Sequence, residues 1–211
     1  GADTNPNKKF SYGIRMDLTK FTNKEFDENK TSNEVKVSAK YKISNKLTLG
    51  LESESGKKTD DIGFLQKKDG EIHFGRRDIN SVENSLDLNF NIDNYKYLSL
   101  RFRNFWSTAN YDNVLFSLKN DGMRELTDHS KLDFDPNTNF NLWNLDLNFD
   151  WWFSPGSTIT LQYKNQIFNR DNESGLKYYK SLKNLFEFPV EHQLSLRINY
   201  LIDFNKLRRN D

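Results

Sequence analysis

Apolar and polar side chains alternate along most of this chain, and the alternation is clearest between Trp143 and Lys164. Positions 143, 145, 147, 149 and 151 are Trp, Leu or Phe, whereas the even positions from 144 to 150 are Asn or Asp. After Pro155-Gly156 the alternation resumes at Ile159. A period of two residues is typical of a strand with two different faces, and a Pro-Gly corner suits a turn between strands. This stretch therefore predicts an antiparallel hairpin with one aromatic and aliphatic face and one polar face.

The same period recurs along the chain and predicts eight strands. They cover approximately residues 9–20, 34–43, 47–55, 71–92, 97–106, 141–153, 158–167 and 191–204. No stretch has a convincing helical period, so we expect no helix. Short strands that follow one another with polar turns between them are typical of an antiparallel all-β fold. We expect residues 1–211 to form a single β-barrel region.

Connection length indicates which solvent each face meets. The connections after the second, fourth and sixth strands are roughly three to five residues long, and the others run from about a dozen to more than thirty, an alternation typical of outer-membrane barrels. We therefore predict an antiparallel transmembrane β-barrel of the outer membrane, with the apolar face towards lipid and the polar face towards a hydrated interior. A soluble β-barrel or sandwich with an apolar interior has the same period and is the alternative.

Composition excludes several other classes of protein. Lys and Arg number 31 against 30 Asp and Glu, so no charge excess points to nucleic acid as a partner. The chain has no cysteine, which excludes disulfides and thiolate metal sites. The longest apolar runs are a few residues, far short of the ~20 that a spanning helix needs, and the mean hydropathy of the chain is -0.87. It is compatible with spanning strands, which need only about 9–11 residues, half of them facing away from lipid.

Polar side chains at alternate strand positions are the candidates for the barrel interior. They are Lys36, Lys40, Glu52, Glu54, Asp87, Arg101, Arg103, Asp146, Asn148, Lys164, Arg197 and Asn199. If the turns keep the faces in phase, Lys36 stands opposite Glu54 and Asp87 stands opposite Arg103. Opposite charges across neighbouring strands suit a closely lined, hydrated interior, although ordinary solvent-facing pairs look the same in sequence.

Aromatic side chains on the other face are the candidates for a lipid-facing girdle. They are Tyr41, Phe102, Trp106, Trp143, Phe149, Trp151, Tyr163 and Tyr200. Trp143 and Trp151 are eight residues apart on one strand, which corresponds to ~26 Å and is close to the ~25 Å height of the apolar band of a barrel.

The sequence contains no recognisable catalytic or cofactor motif. His73, His129 and His192 are far apart and lack a second ligand at metal-site spacing, so we expect neither metal nor cofactor. The Arg76-Arg77-Asp78 run suits either a bound anion or a structural ion pair, and Tyr178-Tyr179 suits either sugar stacking or loop packing. An enzyme embedded in the barrel would need convergence of loop residues from the set Asp112, Asp121, Glu125, Asp128 and His129.

Four stretches carry a family resemblance. They are Ala2–Pro6, Phe74–Asp78, Trp152–Gln166 and Leu196–Leu207. In these stretches the chain resembles the C-terminal region of Bacteroidota outer-membrane proteins of unknown function, whose N-terminal part is similar to a family-9 carbohydrate-binding domain. The matching motifs are structural rather than catalytic.

This resemblance implies a location in the cell outer membrane and a longer protein with further strands before Gly1. It implies as partners the lipid bilayer, the N-terminal part of the same protein and other outer-membrane or surface proteins. We expect a non-enzymatic barrel that acts as a pore or as the membrane anchor of a carbohydrate-related protein. A hydrolase with its site in extracellular loops and a soluble sugar-binding β-barrel are the alternatives.

Overall fold

The fold is a single antiparallel sheet, as seen in a computed structural model that describes residues 1–23, 28–68, 70–119, 121–127 and 132–202. The strands are β1 (Ala2–Asp3), β2 (Phe10–Asn23), β3 (Glu28–Lys42), β4 (Leu47–Lys68), β5 (Glu71–Asn91), β6 (Lys96–Leu118), β7 (Arg124–Thr127), β8 (Thr138–Ser154), β9 (Ser157–Asp171) and β10 (Glu191–Asn199). One helix, α1 (Tyr178–Leu185), lies between β9 and β10. The prediction of an antiparallel all-β fold is confirmed.

The sheet is a meander in which neighbours in sequence are neighbours in space. Its order is β1-β2-β3-β4-β5-β6-β8-β9-β10. The short strand β7 pairs with the C-terminal end of β6, Leu115–Leu118, beyond the part of β6 that pairs with β8. In the described part of the chain, β1 and β10 are the two ends of this order. The connections 43–46, 92–95 and 155–156 lie at one end of the strands, here called the turn end. The opposite end is called the loop end.

The eight predicted strands are all present, and most are longer than predicted at the loop end. Residues 22–33 were expected to be a loop, but β2 continues to Asn23 and β3 already begins at Glu28. Strand β4 likewise continues to Lys68, and β6 to Leu118. Backbone pairing continues in these parts although the side chains no longer alternate, because cross-strand hydrogen bonds do not require one apolar face. The long connections predicted after the first and third strands are therefore wrong, whereas the three short turns are confirmed.

Two local predictions at the C-terminal side are also wrong. The last strand ends at Asn199, residues 200–202 are outside the strand, and the predicted end at residue 204 lies beyond the described residues. A helix is present at Tyr178–Leu185 where none was expected. Eight residues are too few for a helical period to stand out, and so short a helix depends on packing for its stability.

The Pro155-Gly156 turn has the geometry that its residues predict. Ser154 pairs with Ser157 across it, and Gly156 has a φ of 71°. That value suits the third position of a type II turn, where glycine is favoured. A Cβ atom at Gly156 would lie 2.6 Å from Leu201 Cδ2, so a larger residue there would also displace the Leu201 side chain, which packs against the turn after β10.

Few apolar side chains are buried in this single-layer sheet. Among the described residues they are Trp106, Leu115, Phe116, Ile167 and Leu185, all from the loop-end part of the strands or from α1. A sheet packs a core only against another layer. Near the turn end no second layer covers either face in the described structure, so the large apolar side chains there are exposed or half-buried.

Candidate functional site: the charged face of the sheet

Strand register divides the side chains into two chemically opposite faces. The charged face carries side chains such as Lys36, Glu52, Asp87, Arg101 and Asp146, which pairing places on one side. All the residues predicted to line the interior belong to this face by their cross-strand partners. The opposite face is called the apolar face.

A row of alternating charge crosses the middle of the charged face. Asp87 pairs with Arg101, Arg101 with Asp146, and Asp146 with Lys164. Arg101 Nε lies 2.5 Å from Asp87 Oδ1. Asp146 Oδ2 lies 3.1 Å from Arg103 Nη2, and its Oδ1 lies 3.9 Å from Lys164 Nζ. Each charge in the row therefore has an opposite charge beside it.

The predicted pairing of Asp87 with Arg103 is wrong by two residues. Arg103 pairs with Ser85 in the sheet, and Arg101 takes the position opposite Asp87. The cause is the turn at residues 92–95, which closes with a hydrogen bond from the Ile92 N–H to the Lys96 carbonyl at 3.0 Å. Centring the turn near Tyr95, one position too late, moved every predicted pair of this hairpin by two residues.

A second cluster of opposite charges lies on β3 and β4. Lys36 Nζ lies 2.7 Å from Glu52 Oε1 and 3.7 Å from Glu54 Oε2, and the predicted pairing of Lys36 with Glu54 is confirmed. Lys40 lines a groove of about 590 Å³ at the turn end. Its other polar walls include Asp3, Ser11, Ser38, Glu52, Asp87 and Asn89.

Uncharged polar side chains continue the charged face towards β10. Gln162 Nε2 donates to Asn148 Oδ1 at 2.7 Å, and Asn199 Nδ2 donates to Thr158 Oγ1 at 3.2 Å. Arg197 stands opposite Thr160. In this part of the charged face, amide and hydroxyl groups form the side-chain hydrogen bonds between strands.

An ion cluster that sequence reasoning missed lies on the same face at the loop end. Asp61 is buried and accepts hydrogen bonds from Lys30 and from Arg77 Nε, the latter at 2.9 Å. Arg77 also donates from Nη1 to the Tyr111 hydroxyl at 2.8 Å. Burial by itself would raise the pKa of Asp61, but the hydrogen bonds and charges of Lys30 and Arg77 together lower it. The ion-pair interpretation of Arg77 agrees with this contact.

The sequence offered little signal for Asp61 because its position depends on a strand irregularity. The register of β4 against β5 shifts between Lys58 and Asp61. Asp60, inside this bulge, has a φ of 54°, a left-handed conformation that is uncommon for residues other than glycine. The bulge allows Asp61 to stand opposite Arg77.

The sheet curls at the loop end. Arg124 on β7 forms an ion pair with Glu28 at the start of β3, although β4, β5 and β6 lie between these strands. In a flat sheet, four strand spacings would separate them by about 19 Å. Lys68 at the tip of β4 likewise reaches Asp133, which follows β7, at 2.5 Å. The tips of β3 to β7 are therefore drawn together.

The apolar face remains open to its surroundings near the turn end. Leu194, Leu196 and Ile198 on β10 have relative exposures of 71%, 63% and 59%. Of the predicted girdle residues, those on this face of the strands are Tyr41, Phe102, Trp106, Trp143, Phe149, Trp151 and Tyr163. Tyr200 follows β10 and its ring stacks on that of Phe153 with centroids 6.2 Å apart.

The prediction that Trp106 faces lipid is wrong. Its side chain is 6% exposed, its Nε1 donates to Asn139 Oδ1 at 3.0 Å, and its ring lies 5.7 Å from that of Tyr178. Helix α1 covers Trp106 on the apolar face, through Tyr178. Trp143 is partly covered in the same way, because the ring of Phe186 lies 4.9 Å from its own.

Helix α1 covers an asparagine cluster that occupies the loop-end part of the apolar face. Tyr178 donates its hydroxyl hydrogen to Asn104 Oδ1 at 2.8 Å and accepts from Asn84 Nδ2 at 2.9 Å. Ser181 accepts from Asn141 Nδ2 at 3.1 Å. Burial raises the pKa of the Tyr178 hydroxyl. These contacts agree with the loop-packing interpretation of Tyr178, and the cluster could not be found from alternation because asparagine occupies positions where apolar residues were expected.

The carboxylates proposed for a barrel-embedded hydrolase are held in separate local contacts. Asp112 and Asp121 accept hydrogen bonds from the backbone N–H groups of Val114 and Met123, and Glu125 pairs with Lys119. Asp128 and His129 lie outside the described residues. Within the described ranges, no group of three or more His, Asp or Glu is arranged to hold a metal ion.

Comparisons with known proteins give a family and a distant likeness. The structure titled TodX deltaS2S3 mutant monoaromatic hydrocarbon channel is similar at 10% identity and a TM-score of 0.32, covering 74% of this chain and 50% of that one. The P. putida toluene transporter TodX is similar at 12% identity and a TM-score of 0.32, covering 75% and 53%. The chain thus spans about half the length of these structures.

No curated protein matches this chain. In the described part of the structure, no helix is long and apolar enough to cross a membrane. A family model described as a domain of unknown function, DUF5916, matches residues 1–210, and the chain belongs to that family.

Proposed function

We propose that this chain is the wall of a non-enzymatic outer-membrane β-barrel that conducts solutes or anchors a larger protein. The observation that carries this proposal is the contrast between the two faces near the turn end. Large apolar side chains such as Leu194 and Leu196 are exposed on one face, while Asp87, Arg101 and Asp146 form a row of alternating charge on the other. A lipid-facing apolar face and a hydrated, ion-paired interior account for both.

The sheet edges support closure into a barrel. In the described structure β10 pairs only with β9, and β1 covers just Gly13 and Ile14 of β2. Unpaired backbone N–H and C=O groups cost several kcal/mol each in lipid, so spanning sheets have no free edges. We propose that further strands of the same protein complete a larger barrel of which this chain is the C-terminal part.

Barrel size separates a pore from an anchor. Eight strands closed on themselves would fill their interior with side chains, whereas a wider barrel would leave a water-filled lumen. The charged face has no large excess of either sign in its central row, which favours polar solutes over ions of one charge. The family resemblance supports a link to carbohydrate through an N-terminal module, and a sugar is the solute class we propose first.

The experiment uses the complete native protein in its own membrane fraction. We expect it to resist extraction by salt and carbonate, to require detergent, and to migrate faster on gels before boiling than after. Release into the soluble fraction without detergent would contradict the proposal and favour the soluble sugar-binding alternative. Conductance across a planar bilayer then assigns a pore, and its absence in an inserted protein assigns an anchor.

The absence of enzymatic activity is part of the same proposal. It is supported by the local contacts of Asp112, Asp121 and Glu125, which hold each carboxylate in its own turn or hairpin. Incubation of the purified barrel with chromogenic glycosides and esters tests it. Turnover that is lost in an Asp121→Asn variant would favour the hydrolase alternative.

A further inference from the structure

Helix α1 lies at the border of the exposed apolar side chains that is nearer the loop end. Asn84, Asn104 and Trp143 each lie two residues beyond Leu86, Phe102 and Leu145 on their strands, and cross-strand pairing joins them in one row. Two residues correspond to about 7 Å along a strand. The helix and the residue after it contact this row through Tyr178 and Phe186. It therefore begins where the apolar band ends.

The helix covers polar groups that lipid could not satisfy. Asn104, Asn139 and Asn141 are each 1% exposed, and their amides bond to one another, to Ser181 and to Tyr178. A buried amide without partners costs about 1–3 kcal/mol. The inner side of α1 supplies those partners, so the surface presented to the membrane at this height is the outer side of the helix.

That outer side is basic and aromatic. Tyr179 is 82% exposed, and Lys180 and Lys183 are exposed without an ion-pair partner in the described structure. Lys177 precedes the helix and Glu187 is the only acidic residue from 177 to 190. The segment that follows leaves Phe186, Phe188 and Val190 exposed, next to the band. Basic residues just outside an aromatic border are typical of segments that lie in the headgroup layer.

We infer that the outer side of α1 binds the anionic phosphate headgroups of membrane lipids. In this arrangement Lys180 and Lys183 pair with lipid phosphates while Phe186 and Phe188 reach the acyl boundary. Charge complementarity and continuity with the exposed apolar face both favour lipid over a protein partner. The inference rests on the proposed membrane barrel and adds a specific contact to it.

The experiment measures lipid selectivity of the complete protein in nanodiscs of equal phosphatidylglycerol and phosphatidylcholine. Native mass spectrometry after release into neutral detergent counts the retained lipids. We expect the wild type to retain phosphatidylglycerol preferentially. The double variant Lys180→Glu, Lys183→Glu should lower this preference by at least about 25-fold, because each of the two lysines near an anionic surface contributes about fivefold. The variant Lys180→Arg, Lys183→Arg should keep it.

A matched control is Lys58→Glu, Lys67→Glu, which changes the net charge equally at two exposed lysines of β4. It should retain the wild-type preference, and heat-modifiable migration confirms that each variant is folded. Equal preference in the α1 variant and the wild type would overturn the inference, as would displacement of the lipid by inorganic phosphate. Failure of the wild type to enter nanodiscs would instead overturn the membrane proposal itself.

Discussion

The turn-end and loop-end halves of the same strands follow different rules. Near the turn end, Leu145, Leu147 and Phe149 alternate with Asp146 and Asn148, and each face has one chemistry. Near the loop end the preference reverses. Asn139 and Asn141 stand on the apolar side beneath α1, while three aromatic rings, those of Phe105, Phe140 and Phe168, pack together on the other side.

This difference shows that the alternation of apolar and polar side chains depends on what each face of a strand contacts. Strand pairing alone does not produce it, because the same strands alternate near the turn end and not near the loop end. Where each face meets one uniform solvent, the period of two is clean and the sequence reveals it. Where a helix or a curled strand tip covers the sheet, or a bulge changes the register, the residue type favoured at each position depends on the particular group that contacts it. The predictions below test the two halves against each other.

The largest effect is expected from a charge on the apolar face near the turn end. Leu147→Arg should lower the free energy of unfolding in lipid or detergent by about 2–4 kcal/mol, because the guanidinium would face the hydrocarbon layer. Urea titration followed by tryptophan fluorescence measures it. The neighbouring variant Asn148→Arg, on the charged face, should change stability by less than about 1 kcal/mol. Similar losses in both variants would contradict the assignment of the faces.

The next effect concerns the ion cluster at the loop end. Asp61→Asn should destabilise the protein by about 2 kcal/mol, because Lys30 and Arg77 lose their shared countercharge. This is below the cost for a fully buried pair, since the Lys30 side chain is 40% exposed and partly screened. Chemical unfolding at neutral pH gives the value.

The difference in unfolding free energy between the wild type and Asp61→Asn should depend on pH, because the folded structure lowers the pKa of Asp61. The stabilisation is present above the ordinary carboxyl pKa of 3.8 and is lost as the pH falls through the lower folded value. The gap in unfolding free energy between wild type and Asp61→Asn should therefore narrow below about pH 4. A gap that stays constant from neutral pH to the acid limit would show that Asp61 acts through packing rather than charge.

A smaller and more local effect is expected beneath α1. Asn104→Ala removes acceptors and donors for Tyr178 and Asn141 and should cost about 1–2 kcal/mol. The loss should also loosen the helix, so trypsin should cleave after Lys180 and Lys183 faster than in the wild type. Asn94→Ala at an exposed turn serves as the control. Unchanged cleavage in Asn104→Ala would mean that the asparagine cluster does not hold the helix.

The smallest effect is expected for a single ion pair on the charged face. Lys36→Ala should reduce stability by less than about 1 kcal/mol, because Lys36 is partly exposed and such pairs contribute little individually. The same variant should shift the ion selectivity of a conducting barrel towards cations, as Glu52 and Glu54 lose their partner. Reversal-potential measurements in a salt gradient detect that change.

The parts of the fold that sequence could predict are those set by local rules. The order of eight strands, the short turns and the Lys36–Glu54 pairing all follow from the period of two and from turn residues. The Asp87–Arg101 pairing was not predicted correctly, because a one-residue error in the centre of the turn shifts every pair of that hairpin by two residues. The position of Asp61 could not be predicted because it depends on a bulge in β4. The asparagine cluster could not be predicted because it depends on helix α1, which is distant in sequence.

The meander order has a consequence for how the sheet assembles. Because each long strand pairs with the next long strand along the chain, most steps of assembly close only a short loop, and the entropy lost per step is small. We expect the chain to add one hairpin at a time, each newly formed edge serving as the template for the next strand. The slowest additions should be β8 and β10, which follow the longest connections, residues 119–137 and 172–190.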